Sequence, residues 1–448
     1  MTMKHIDTWL VHNITSILLI ILLFMTMLRI GITYANPTGH LRMPEWNFAY
    51  SSLGRDSDMY PIQPVYGIRN KENPPYLFAG YGLTLIADTV LRALEASGIC
   101  NPSDTHSCSL NWYHGSMFFS LGVFLFLLFT VIRRNDNRQI AILFFATFLL
   151  GVPMSKALEA GNMDLVLAPV VGILLLYIRG VTEHTNGNTI RYIMIGTIAA
   201  LLVTSKVFLV IFTVFAILGI CNFTTITSFS TAFLMMSLWP RFYGVHASIL
   251  DIVTFALDAT KYARTQIQTQ INYGNNAVFS YVSGMLQTIL PRNMPAAIRN
   301  NLRSVLTGGI SLILYFLLLI RPWFDTFSLH KSRHNPICLS GVTTVHFSFR
   351  SILVAFTFGY ICILIIPSWS FDFRLLYGLP IMYFLMNEAD DNRSKSFLYL
   401  SIISLLLKSL WIYQERILTI FLYIHCYFLL RAALSVWKHQ QVGYERIS

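Results

Sequence analysis

Apolar runs long enough to enter a bilayer recur along the whole of this 448-residue chain, and they constrain its fold more than any motif does. Clear runs are Ile17–Tyr34, Ser116–Val131, Ile140–Pro153, Leu165–Ile178, Tyr192–Val203, Val207–Ile220, Leu306–Leu319, Ile352–Ile366, Leu375–Leu385, Phe397–Leu410 and Ile417–Ala433, with Thr225–Trp239 a further one. A helix crosses the hydrocarbon core with about 20 apolar residues, so the pattern predicts an all-α polytopic membrane protein with about 10–12 transmembrane helices. Only 12% of residues are charged, half the share of a soluble domain, and this excludes an ordinary water-soluble fold. The first run ends in a loose cleavage-site mimic at Thr33-Tyr34-Ala35, but it is too long for a signal peptide and reads as a span.

Arg133, Arg134, Arg138, Arg179, Arg191, Lys331, Arg333, Arg393, Lys395, Lys438 and Arg446 fall on one side if both termini are cytoplasmic, as the positive-inside rule favours. Two long connections then lie outside, residues 35–113 and 239–303, on a single transmembrane domain of residues 1–448. The net charge of +11 is partly this bias and points to no nucleic acid. The second outer loop carries Arg241, Lys261, Arg264, Arg292, Arg299 and Arg303 against Asp251 and Asp258. Such a surface suits a phosphate-bearing lipid or, equally, anionic headgroups of the bilayer.

Leu77–Ser97 has helical periodicity, with Leu83, Ile86, Val90 and Leu94 on one side and Thr84, Asp88, Arg92 and Glu95 on the other. Asp88 and Arg92 are spaced for an i,i+4 pair, and the pattern predicts a helix lying at the membrane interface. Asn73-Pro74-Pro75 precedes it, where neither proline continues a helix. Cys100 and Cys108, in the same outer loop with a turn between them, are expected to form a disulfide in an oxidising compartment. Cys221, Cys338, Cys362 and Cys426 read as packed small residues or free thiols, and the twelve histidines show no metal-ligand spacing.

The chemistry concentrates on the outer side. Asp56 and Asp58 sit close together in Gly54–Tyr60, in a chain with only 21 Asp plus Glu. Lys206 interrupts the apolar stretch Tyr192–Ile220, where a lysine facing lipid costs about 3 kcal/mol. Two shorter helices meeting at Thr204-Ser205-Lys206 resolve that cost. Glu159–Asp164 forms a tight polar turn, Tyr273–Ala277 closes the polar part of the second outer loop, and Pro367–Arg374 caps two consecutive runs.

In this order the residues resemble the GT-C membrane glycosyltransferases, in particular the polyprenyl-phosphate-mannose-dependent α-mannosyltransferase branch. The resemblance covers about residues 50 to 385. Its motifs are Asp-x-x-x-Tyr (Asp56 to Tyr60), Pro74-Pro75, Gly161-Asn162-x-Asp164, the mid-membrane Lys206, Gly274-Asn275-Asn276 and Pro367-Ser-Trp369-Ser370. Departures are Asn73 for the usual Tyr before the prolines, Asp164 for an Asn, and no His after Trp369.

The resemblance implies a GT-C-like fold with interfacial helices in two periplasmic loops. It implies transfer of a single sugar from a polyprenyl-phosphate donor to a hydroxyl of an envelope glycan or glycolipid. The donor already carries its leaving group, so the reaction needs a carboxylate base and cations on the departing phosphate, without metal, nucleotide or other cofactor. Asp56 is favoured over Asp58 as the base by its spacing to Tyr60; Glu159, Asp251 and Asp258 stand in reserve, and a turn or N-cap carboxylate is the plain alternative. Lys206 and Arg374 are assigned to the donor phosphate, against a structural salt bridge for Lys206 and an Asp372 pair for Arg374. Tyr60, Asn162, Asp164, Asn275, Asn276 and Trp369 are assigned to substrate, against closing a tight turn (Asn162, Asp164), capping the next helix (Asn275, Asn276) and anchoring at the interface (Trp369). An Ile-, Asn- and Ser-rich, Ala-poor composition suggests a Gram-negative inner-membrane enzyme acting at the periplasmic face on lipopolysaccharide, such as O-antigen. The rival readings are an O-antigen polymerase or ligase, which would centre on arginines and histidines in a large outer loop, and a secondary transporter, for which no internal repeat is seen.

Overall fold

The structure is a computed structural model. The structure describes residues 13–28, 62–70, 81–101, 105–134, 138–151, 164–183, 189–246, 250, 277–291, 293–327, 347–366, 372–409 and 415–445. Among these residues every regular element is helical. The helices are α1 Asn13–Leu28, α2 Ile62–Arg69, α3 Tyr81–Ala96, α4 Thr105–Arg134 and α5 Arg138–Leu149. They continue with α6 Asp164–Thr182, α7 Thr189–Ser205, α8 Val210–Ile220, α9 Phe223–Leu238 and α10 Val278–Ile289. α11 Ala296–Tyr315 runs through a π-helical turn at Phe316–Ile320 into α12 Arg321–Phe327, followed by α13 Phe349–Ile365, α14 Gly378–Glu388, α15 Asn392–Ser409 and α16 Glu415–Glu445.

Three stretches, Asp164–Thr182, Ala296–Asp325 and Thr419–Lys438, are long and apolar enough to cross a membrane, and shorter apolar helices accompany them. This architecture is compatible with a helical membrane protein. The first and third stretches are 61% buried and the second only 17%, so α6 and α16 are central while α11 lies at the edge. α11 turns Val305, Ile310, Leu312 and Ile313 outward, a surface suited to hydrocarbon rather than water. The expected run Leu375–Leu385 is divided: a 3₁₀ turn occupies Asp372–Tyr377 and the α-helix begins only at Gly378.

Lys206 does break its apolar stretch. α7 stops at Ser205, a 3₁₀ turn covers Val207–Leu209, and α8 folds back so that Thr213 Oγ1 donates to Ala199 O at 2.8 Å. α9 then packs along α7, where a Cβ at Gly196 would lie 2.4 Å from Thr225 O; only glycine permits that approach. α3 reaches the Lys206 turn in the same way, since a Cβ at Gly82 would stand 2.2 Å from Thr204 Oγ1. Trp239 Nε1 donates to Tyr81 O at 2.9 Å and fastens the start of α3 to the end of α9.

The expected polar stripe of α3 is divided: Arg92 is exposed, but the first half of the stripe does not face water. Thr84 and Asp88 are buried, with Leu83, Ala87 and Leu91, while Val90 is exposed. The physical reason is Arg69 on α2, whose Nε lies 2.7 Å from Asp88 Oδ1 and whose Nη1 lies 2.7 Å from Glu95 Oε1. The expected Asp88–Arg92 pair is present at 3.2 Å, and Tyr243 donates to Asp88 Oδ2 at 2.8 Å. The disulfide Cys100–Cys108 ties the end of α3 to α4 and packs with Val65, Ala87 and Leu91. Cys221 is exposed, and Cys362 and Cys426 are buried free thiols.

Burial alone would raise the Asp88 pKa, but the hydrogen bonds from Tyr243, Arg69 and Arg92 and the Arg69 charge outweigh it and hold the carboxyl below its ordinary value. A depressed carboxylate stabilises the fold at neutral pH and loses that contribution as pH falls through its folded pKa. The α2–α3 region is therefore expected to loosen below about pH 4. Asp88→Asn should cost about 2 kcal/mol at pH 7 and flatten this acid limb. Limited proteolysis across a pH series checks both; an acid limb unchanged in Asp88→Asn contradicts the assignment.

Candidate active site

Three of the expected site residues meet at one end of the helical bundle. Asp164 opens α6, is fully buried, and stands in the first turn, where the helix dipole favours an anion. Lys206, at the α7–α8 break, places Nζ 2.9 Å from Asp164 Oδ1 with 12% of its side chain exposed. Tyr377, at the end of the 3₁₀ turn before α14, donates its hydroxyl to the same Oδ1. The carboxylate thus joins three chain segments, and Lys206 forms an ion pair with it.

Arg374 comes from the same 3₁₀ turn as Tyr377. Its Nη1 donates to Ile363 O at 3.1 Å, and its guanidinium lies 4.3 Å from the centroid of the Phe208 ring. Lys206 Nζ is 5.8 Å from that centroid, so the two cations share one aromatic ring. Phe208 also meets Tyr377 edge to face at 6.1 Å. Arg374 Nε is buried and has no hydrogen-bond partner among the described residues, which leaves one donor of a fixed cation uncommitted.

Tyr377 and Phe208 were missed by the sequence reading. The signal for each was local: Tyr377 follows Arg374 by three residues, one 3₁₀ turn, and Phe208 follows Lys206 by two. The other expected site residues, Asp56, Asp58, Tyr60, Asn162, Asn275, Asn276 and Trp369, lie outside the described residues, as do Glu159, Asp251 and Asp258.

Chemically, the cluster offers two fixed cations, a buried carboxylate held on one of them, and a phenol. Cations held before a ligand arrives stabilise a charge that develops during reaction without reorganising for it.

The opposite end of the bundle holds a separate ion network. Glu388, buried at the end of α14, accepts from Arg350 Nε at 2.8 Å and lies 3.1 Å from Arg179 Nη2. Arg350 Nη2 also reaches Asp390 at 3.0 Å, and Arg179 Nε reaches Glu183 at 2.6 Å. Arg179, expected on the cytoplasmic side, thus lies at the end of α6 away from Asp164.

No family model, curated protein or solved structure matches this chain.

Proposed function

We propose that this protein is a GT-C-like membrane glycosyltransferase that moves a single sugar from a polyprenyl-phosphate donor to a hydroxyl of an envelope glycan or glycolipid. The observation that carries the reading is the meeting of Lys206, Asp164 and Arg374, which come from segments far apart in sequence. The resemblance assigns the two cations to the donor phosphate, and their position at a helix break and a 3₁₀ turn suits a headgroup at a bilayer surface. In this reading Lys206 and Arg374 take up the charge that develops on phosphate oxygen as the glycosidic bond breaks. Asp56, or else Asp58, removes the acceptor proton. Attack opposite the phosphate inverts the anomeric configuration, and no metal is required. The chain sits in the inner membrane with this end toward the periplasm.

The test is transfer by purified protein in EDTA, with polyprenyl-monophosphate and polyprenyl-diphosphate sugars offered alongside host envelope glycolipids. Mass spectrometry should find addition of one sugar residue from a monophosphate donor. Addition of whole repeat units from a diphosphate donor overturns the proposal in favour of a polymerase or ligase, and so does strict dependence on a divalent metal in favour of nucleotide-sugar chemistry.

A further inference from the structure

Taking the phosphate role of Lys206 and Arg374 from the proposed function, we infer that Asp164 is a built-in counter-charge that matches the site to a monoanionic phosphodiester and weakens its hold on the dianionic monoester left after transfer. The described charged groups of the cluster are two cations and one carboxylate. The carboxylate is fully buried, 2.9 Å from Lys206 Nζ, and is held there by the Tyr377 hydroxyl.

The charges follow from the reaction. Transfer breaks the bond between the anomeric carbon and a phosphate oxygen, and the electron pair stays on that oxygen. The acceptor hydroxyl oxygen takes the carbon, and its proton goes to the base. The lipid phosphate thereby passes from one negative charge to two. A site of two cations alone would bind this product better than the donor and would be slow to release it. Asp164 removes one unit of positive charge at Lys206, so the added negative charge meets about half the attraction that two unopposed cations would give it. Asp164 is therefore a specificity residue acting through Lys206 rather than a group in contact with the reacting atoms.

The experiment is calorimetric titration of the full-length protein in detergent with citronellyl phosphate, a monoester, and methyl citronellyl phosphate, a diester. At about pH 8 the monoester is a dianion and the diester a monoanion. Wild type should bind the monoester no more than about threefold tighter than the diester, and Asp164→Asn should gain about tenfold for the monoester and much less for the diester. Asp164→Glu, which keeps the charge, and Tyr377→Phe, which keeps the carboxylate, should retain the wild-type ratio. That ratio is informative even if Asp164→Asn fails to fold. A wild-type preference for the dianion of more than about tenfold overturns the inference, as does an Asp164→Asn effect that is equal on both probes. Binding of neither probe by folded wild type overturns the phosphate role of the cluster itself, and with it the inference.

Discussion

Lys206→Met is expected to lower the stability of the protein by about 3 kcal/mol and to abolish binding of a phosphate lipid at this site. The stability loss follows from what the substitution leaves behind. Asp164 is fully buried, and its Oδ1 faces Lys206 Nζ at 2.9 Å. Removing the ammonium takes away the cation at 2.9 Å that offsets the desolvation of this charge, and a hydroxyl such as that of Tyr377 does not neutralise it. The double variant Lys206→Met with Asp164→Leu separates the causes. It removes both charges and fills the space, so it should recover most of the lost stability while phosphate binding stays absent. Thermal unfolding of the three proteins in detergent measures the first effect, and titration with citronellyl phosphate the second. A single variant as stable as wild type contradicts the structural half of this account.

Glu388→Gln is expected to lower the thermal midpoint by several degrees, a cost of about 2 kcal/mol after allowance for partial solvent screening. Glu388 is the shared acceptor of Arg179 from α6 and Arg350 from α13, and it closes α14 against both. The amide keeps the shape and one hydrogen bond but leaves two guanidinium groups without their common counter-charge. Asp390 and Glu183 absorb part of the loss, because Arg350 and Arg179 retain them as partners. Glu183→Gln is the control. Its ion pair is an exposed i,i+4 contact, and its removal should change the midpoint by less than a degree or so. Equal effects from the two substitutions would contradict the view that Glu388 is the centre of this end of the bundle.

How much of this was legible in the sequence depends on the range of the interaction. The break at Lys206 could be read directly, because a lysine within an apolar run leaves few physical outcomes. The Cys100–Cys108 bond and the Asp88–Arg92 pair were legible for the same reason: each joins residues within one short segment. The facing of α3 was not. Periodicity sorted its residues into an apolar and a polar stripe, but Arg69 on another helix holds Asp88 inside while Val90 of the apolar stripe is exposed, and no local pattern records that. Lys206 and Asp164 were each singled out, yet their contact spans 42 residues and depends on α6 and α7 running side by side. Tyr377 was hidden because the apolar run around it read as one span, whereas the chain turns there before α14 begins. The sequence therefore named all three described charged members of the site, Asp164, Lys206 and Arg374, and neither of their aromatic supports, Phe208 and Tyr377.

The central claim is that an aspartate of the first long loop activates an acceptor against a phosphate held by Lys206 and Arg374. Its most direct test is sugar transfer in EDTA by wild type, Asp56→Asn and Asp58→Asn, each shown to be folded and to bind citronellyl phosphate like wild type. The account predicts metal-independent transfer by wild type and loss of at least about a hundredfold in one of the two variants, with donor binding intact. Undiminished transfer in both variants would contradict it.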